Sequence, residues 1–459
     1  MTESQAGAHP GDRLDRQLGL TDAAMLVVAS VIGAGIFFTP GQVAELLPAP
    51  GWILAAWAAG ALLSLAGALA NAELGAMFPR AGGDYVYLRE AFHPAAGFMV
   101  GWLSFLAIYA GTIAALALAF AEGLGARFGW SESANVAFAV AITIAVSALN
   151  FVGVRWGAWA NNLTSVVKLG ALLAFAVLGP LFGEGDWSRV TAGAAPDDAG
   201  ITAIDFGRAL SPVLFSYLGW NASVYVASEI RNPGRNIPRS LFLGLALCAG
   251  IYMLVNTVYL YALPVSRLRG VSDAGQAAAL ALFGPISGGL VAVFVLISVL
   301  GTLNATVLVG PRIAYAMALD GLFFRGVDRV HAGFRTPSTA IGVQCLVAVG
   351  LLLLLRSFPS ALDFTVFAIV LASMADVLAL YRLRRTQPDR PRPYRAWGHP
   401  WVPGLYLLAN AGIAAAMLIG NPLDCAISLA ILLTGWPVYA FFVRAQRRAR
   451  EGGSDRPNS

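Results

Sequence analysis

The stretch TDAAMLVVASVIGAGIFFTPGQ, residues 21–42, decides how this chain folds. It is apolar and long enough to cross a bilayer, yet Gly33 and Gly35 flank Ala34 at its centre. Glycine lowers helix stability and permits non-helical backbone. Taken alone, the stretch has two readings: small residues that let helices pack closely, or a helix that unwinds in mid-membrane. A second stretch, DFGRALSPVLFSYLGWNASVYVASEI at 205–230, favours unwinding. Pro212 and Gly219 weaken it at a matching depth, five apolar segments further along. Paired interruptions at corresponding places in two halves point to an inverted repeat.

An unwound helix frees N–H groups at the start of one half-helix and C=O groups at the end of the other. The first attract an anion, the second a cation. Together they suit a zwitterion. Its carboxylate is expected at Gly33, Ala34 and Gly35, and its ammonium near the carbonyls of Val31, Phe215 and Leu218. Ile32, Ser216, Gly219 and Asn221 complete the expected binding set, with Asn221 as a cap for the second half of the broken segment. Irregular backbone at that depth requires a cavity or surrounding protein.

The rest of the chain fits this setting. Of 459 residues, 58% are hydrophobic and 12% charged, against roughly 25% charged in a soluble domain. That excludes a soluble globule of this size and a disordered chain. A net charge of +5, in short separated clusters, argues against a nucleic-acid partner. Twelve segments are long and apolar enough to span: 20–47, 51–78, 95–121, 134–151, 157–181, 205–230, 238–263, 286–317, 338–355, 360–381, 401–419 and 422–443. The expected class is therefore an all-α integral membrane protein with helices 1 and 6 broken. A tail at 1–19 precedes a first repeat at 20–181. A second repeat follows at 205–381, then two added helices at 401–443 and a tail at 444–459. No cleaved signal peptide is read in the polar first 19 residues. Placing both tails in the cytoplasm puts 23 arginines on the inner side and six on the outer, as the positive-inside rule requires.

Those 29 basic residues are all arginine; the one lysine is Lys168, in the middle of the fifth segment. It lies roughly 16–20 Å from either helix end, too deep to snorkel. A charge at that depth is a functional candidate by default. A compact ammonium, unlike a guanidinium, is also able to release its proton. The expectation is that Lys168 bonds carbonyls exposed by the first break and a hydroxyl of the eighth segment, Ser298 or Thr302. A structural, paired lysine is the plainer alternative.

Other residues carry less. Cys248, Cys345 and Cys425 give no disulfide framework and no metal spacing. The four histidines are scattered, and no phosphate loop, nucleophile motif or cofactor motif occurs. An intramembrane enzyme would need catalytic polar clusters within the spans, and a passive channel fits broken helices around a pocket poorly. Glu73 and Glu229 read as solvated interface, with pairing to Arg80 or Arg231 as the alternative. Tyr109 reads as packing, with facing the site as the alternative, and Asp376 as interfacial.

Several motifs resemble a known family. IGAGIF in segment one is similar to the unwound signature of the amino acid–polyamine–organocation superfamily. AELGAMFPRAGGDYVYLREAFHP (72–94) resembles its first cytoplasmic loop, and FSYLGWNASVYVASEIRNPGRNIPRS (215–240) its sixth helix and loop. TSVVKLG (164–170) and GPRIAYAMALDGLFF (310–324) resemble its fifth and eighth helices. YLGWN looks most like the L-type amino acid transporter branch. The resemblance implies the leucine-transporter-type 5+5 inverted repeat, residence in the cell membrane, and alternating-access transport of amino acids. It implies no sodium dependence, with proton-coupled symport or exchange. A sodium-coupled carrier, or one for polyamines or cationic amino acids, is the alternative on the same fold. Ala34 stands where the family often has Ser. Leu218 stands where the L-type pattern has Gly, which implies small to medium neutral substrates. Residues 122–135 contain no cysteine, so no disulfide-linked heavy chain is expected.

Overall fold

A computed structural model describes residues 12–192, 201–355, 358–420 and 422–454. The helices are α1 (Leu20–Val31), α2 (Gly35–Leu46), α3 (Pro50–Met77), α4 (Asp84–Ala91), α5 (Pro94–Leu103), α6 (Ala110–Phe128), α7 (Glu132–Val152), α8 (Val154–Phe182), α9 (Ala203–Tyr217) and α10 (Ala222–Tyr225). They continue as α11 (Pro233–Ala262), α12 (Val265–Leu268), α13 (Ala274–Phe283), α14 (Pro285–Val309), α15 (Pro311–Leu319), α16 (Ser338–Leu355), α17 (Phe358–Thr386), α18 (Trp401–Gly420) and α19 (Pro422–Ser454). Among the described residues there is no strand, only a single parallel bridge between Leu18 and Ile230.

Among the described residues, nine uninterrupted helical stretches are long and apolar enough to span, and the pair α1 and α2, bent by 45°, makes a tenth. The sequence pattern anticipates twelve. Segment six is split into α9 and the four-residue α10, so neither piece has the length. Segment nine forms α16, whose described apolar part, Ser338–Leu354, falls just short. The last helix runs past the expected end at 443 to Ser454, because Arg, Ala and Gln there are strong helix formers. The expected C-terminal tail is thus helical as far as it is described; residues 1–11 and 455–459 lie outside the described part.

The first break spans Ile32–Ala34, where Ile32 leaves helical geometry at ψ 84°. The second follows Tyr217, where Leu218 turns extended at ψ 150° and Gly219 adopts φ +95°. A Cβ on Gly219 would also meet the Ser30 carbonyl at 2.8 Å, and one on Gly35 would meet the Ser216 backbone at 2.7 Å. Glycine is therefore required where the two broken segments touch. A third irregularity is a π-helical turn, Ser104–Tyr109, joining α5 to α6. Such turns re-aim side chains and are frequent at functional sites.

Small residues set the remaining close contacts. A Cβ on Gly244 of α11 would meet Val27 of α1 at 2.7 Å, and one on Gly60 of α3 would meet Val213 of α9 at 2.4 Å. In lipid, close backbone approach replaces the hydrophobic effect as the packing force. Outward, α16 and α18 expose Leu346, Leu354, Leu408 and Ile419, a belt of apolar surface suited to acyl chains.

Two acids expected at a solvated interface are buried instead. Glu73 of α3 is fully buried and accepts bonds from Arg384 at 2.5 Å, Arg392 at 3.1 Å and the Ala396 amide at 2.7 Å. Glu229 is 1% exposed and pairs side-on with Arg312, at 2.8 and 3.0 Å. The partners are not Arg80 and Arg231, which are close in sequence, but arginines that tertiary packing brings up. Removing one member of a buried pair strands the other charge, at about 3–5 kcal/mol. Arg312→Met is accordingly expected to lower the thermal midpoint of the purified protein sharply. Adding Glu229→Gln should recover most of the loss in a double-mutant cycle; additive losses would refute the pairing.

Candidate functional site

The two breaks face each other across a cavity lined by Ser30, Val31, Gly33, Ala34 and Gly35 from the first and Phe215, Ser216, Leu218, Gly219 and Asn221 from the second. Tyr109, Thr112, Tyr225, Thr306 and Ser373 contribute from the scaffold around it. It offers about 140 Å³ to water-sized molecules, roughly ten times the minimum for one water. Tyr109 comes to this wall through the π-helical turn and packs edge-on against Tyr225, with ring centroids 5.2 Å apart. It is part of the cavity rather than packing alone.

Local backbone gives the cavity its polarity. The first N–H groups of α2 have no partners within their own helix, and Gly33, Ala34 and Gly35 stand at that end. The C-terminal ends of α1 and α9 supply carbonyls. Helix dipoles add partial positive charge at the first location and partial negative charge at the second. The site thus has one anion-favouring and one cation-favouring edge, a few ångströms apart.

Ile32 does not line the cavity. Its side chain is fully buried, and its carbonyl points behind the break to Lys168. The Lys168 Nζ donates to Ile32 O at 2.7 Å, Ala29 O at 3.1 Å and Thr302 Oγ1 at 2.8 Å. An ammonium has three donors, and each has an acceptor here. Of the two hydroxyls expected at Lys168, Thr302 makes the contact. Ser298 instead bonds the Ile32 carbonyl at 3.2 Å and lies 3.5 Å from that of Gly33. The difference is one helical turn: Thr302 faces Lys168, and Ser298 faces the break itself.

Not every expected carbonyl is open. Val31 O accepts the Tyr252 hydroxyl at 2.9 Å and the Gly33 amide at 2.8 Å, and Phe215 O accepts the Leu218 amide at 3.1 Å. The same Tyr252 hydroxyl lies 3.1 Å from Ser216 O, so its single proton is shared between the two carbonyls and links both half-helix ends. The sequence offered no contrast to single it out, since Tyr252 is one of three tyrosines in IYMLVNTVYLY (251–261). Ser216 bonds Thr39 Oγ1 at 2.8 Å, joining α9 to α2. Asn221 lines the cavity but makes no side-chain cap on α10; its amide reaches the Tyr225 hydroxyl at 3.4 Å. The helix there is too short to present a conventional first turn.

Among the described residues no group of three or more His, Cys, Asp or Glu side chains is arranged to hold a metal.

A sequence profile of the amino acid permease family matches residues 18–443. The serine/threonine exchanger SteT of Bacillus subtilis is 31% identical over 430 residues, 93% of this chain and 96% of that protein. The human large neutral amino acids transporter small subunit 2 is 28% identical, over 96% of this chain and 83% of its own length. The human b(0,+)-type amino acid transporter 1 is 28% identical, over 94% and 88%.

Tyr252→Phe removes the hydroxyl that joins the two breaks and nothing else. With about 0.5–1.5 kcal/mol per neutral hydrogen bond, apparent affinity for the cavity's ligand is expected to weaken several-fold while the thermal midpoint falls little. Ligand-induced thermal shifts of both proteins measure it, and an unchanged affinity would remove Tyr252 from the site.

Proposed function

From the chain's membership of the amino acid permease family, whose relatives are transporters rather than enzymes, we propose that it carries small to medium neutral amino acids across the cell membrane by alternating access, without sodium. The observation that carries this reading is the pair of breaks. The amides of Ala34 and Gly35 at the start of α2 suit an α-carboxylate, and carbonyl ends of α1 and α9 suit an α-ammonium. Leu218 projects bulk into the wall where the side chain would lie, which favours small substrates by exclusion. Serine and threonine, exchanged by the Bacillus subtilis relative, are the first candidates.

The full architecture under this proposal is twelve membrane helices with both termini cytoplasmic. Helices 1–5 and 6–10 form a 5+5 inverted repeat. The sodium-free mechanism rests on Lys168. Its ammonium occupies the carbonyl nest behind α1 that a coupling cation would otherwise need, and a second cation there would be repelled. Exchange or proton symport then supplies the driving force. The human relative is named a small subunit. Residues 122–135 of this chain hold no cysteine, so the proposal includes no disulfide-linked partner.

Proteoliposomes loaded with serine or threonine provide the test. Uptake of labelled serine is expected with K⁺ replacing Na⁺, and Lys168→Ala is expected to cut it at least tenfold. Sodium-dependent uptake, or full activity of the variant, refutes the mechanism.

A separate measurement concerns size selection. Leu218→Gly is expected to admit larger side chains such as phenylalanine while retaining serine. An unchanged competition series would show that Leu218 does not set the limit.

A further inference from the structure

Two buried acids stand outside the transport scheme. Asp84 opens α4 and lines the cavity; Asp376 lies in α17, roughly two turns inward of Arg384. They are 1% and 0% exposed, and the packing of α17 on α4 brings the two carboxyl groups to bear on each other. The sequence pattern placed Asp376 at an interface, but the fold turns it inward onto α4. Asp84 Oδ2 accepts the Tyr225 hydroxyl at 2.6 Å and that of Ser104 at 3.3 Å. Its Oδ1 has no hydrogen-bond partner, and neither does either oxygen of Asp376. The Asn71 amide, which lies against Asp376, and the nearby Tyr87 hydroxyl are also buried and unpartnered.

We propose that Asp84 and Asp376 together bind one proton, and that this proton joins α4 to α17 beneath the cavity. Two ionised carboxylates in contact, away from water, repel strongly, and such a pair takes up a proton as a unit. The proton leaves water and bonds to one carboxylate, which becomes a donor to the other. That single event supplies the missing partner of both acids. No salt bridge reaches either one among the described residues. The titratable groups bearing on the pair are Tyr87 of α4, Tyr109 of the π-helical turn, Tyr225 of α10 and Tyr406 of α18. Glu73 of α3 is turned away to Arg384 and Arg392. Nothing nearby therefore neutralises a second negative charge.

The pair is wired to the cavity. Asn221 on its wall donates to the Tyr225 hydroxyl, which donates to Asp84. An occupant that engages Asn221 alters the hydrogen bond that Tyr225 gives Asp84. Protonated, the pair holds α4, α10 and α17 together; deprotonated, its two charges drive α4 and α17 apart. The assignment rests on the cavity being the transport site, and it names the proton's place within that scheme.

Infrared difference spectroscopy of the purified full-length protein reads the proton directly, without transport. A protonated-carboxyl C=O band sensitive to H/D exchange is expected at neutral pH, titrating away in alkaline solution. It should vanish in Asp376→Asn and in the Asp84→Asn/Asp376→Asn double variant. In proteoliposomes, the serine exchange rate of the parent is expected to vary with pH, and that of Asp376→Asn to be flat. Absence of the band in the parent, or its persistence in the double variant, overturns the proposal; the first of these needs no variant to fold. A band displaced by sodium, or lysine uptake that requires Asp84, assigns the pair to another cation and overturns it equally. A pH-dependent parent whose dependence survives in Asp376→Asn sinks the pair and leaves proton coupling standing. The band without any pH dependence of exchange does the reverse.

Discussion

A backbone that leaves its helix inside an apolar medium must find partners for every amide and carbonyl it frees. The organisation of this protein follows from how that requirement is met at Ile32–Ala34 and Leu218–Gly219. Behind the first break, Lys168, Ser298 and Thr302 converge on the carbonyls of Ala29 and Ile32. Between the two breaks, Tyr252 satisfies Val31 and Ser216 together. What remains unsatisfied faces the cavity, and it is that remainder which has chemistry to offer a ligand.

The same constraint explains the distribution of glycine and charge. Gly35 and Gly219 are needed because the broken segments touch backbone to backbone, at separations no Cβ allows. The buried ion pairs of Glu73 and Glu229 involve elements distant in sequence, and together they tie α3 to the end of α17 and the chain following it, and α15 to the loop after α10. The Asp84 and Asp376 pair differs in that its attraction depends on a proton rather than on a fixed counter-charge.

Much was legible in the sequence because the bilayer imposes simple rules. Span length, arginine asymmetry and the rarity of deep charge all act locally, so the broken segments and Lys168 stood out without any tertiary knowledge. Thr302 was anticipated as one of two hydroxyls. The choice between it and Ser298 was not, because residues four apart share a helix face and only the approach of α8 separates them.

What the chain by itself determined was the membrane class, the location of the interruptions and the identity of the one deep cation, since each depends on composition and spacing along a single helix. Tertiary structure alone decided the partners: Arg312 rather than Arg231 for Glu229, Arg384 and Arg392 for Glu73, Tyr252 as the bridge between half-helices, and Asp84 opposite Asp376. These are contacts between elements remote in sequence. A buried charge or hydroxyl shows its cost in the sequence, but the group that offsets that cost is chosen by how helices cross.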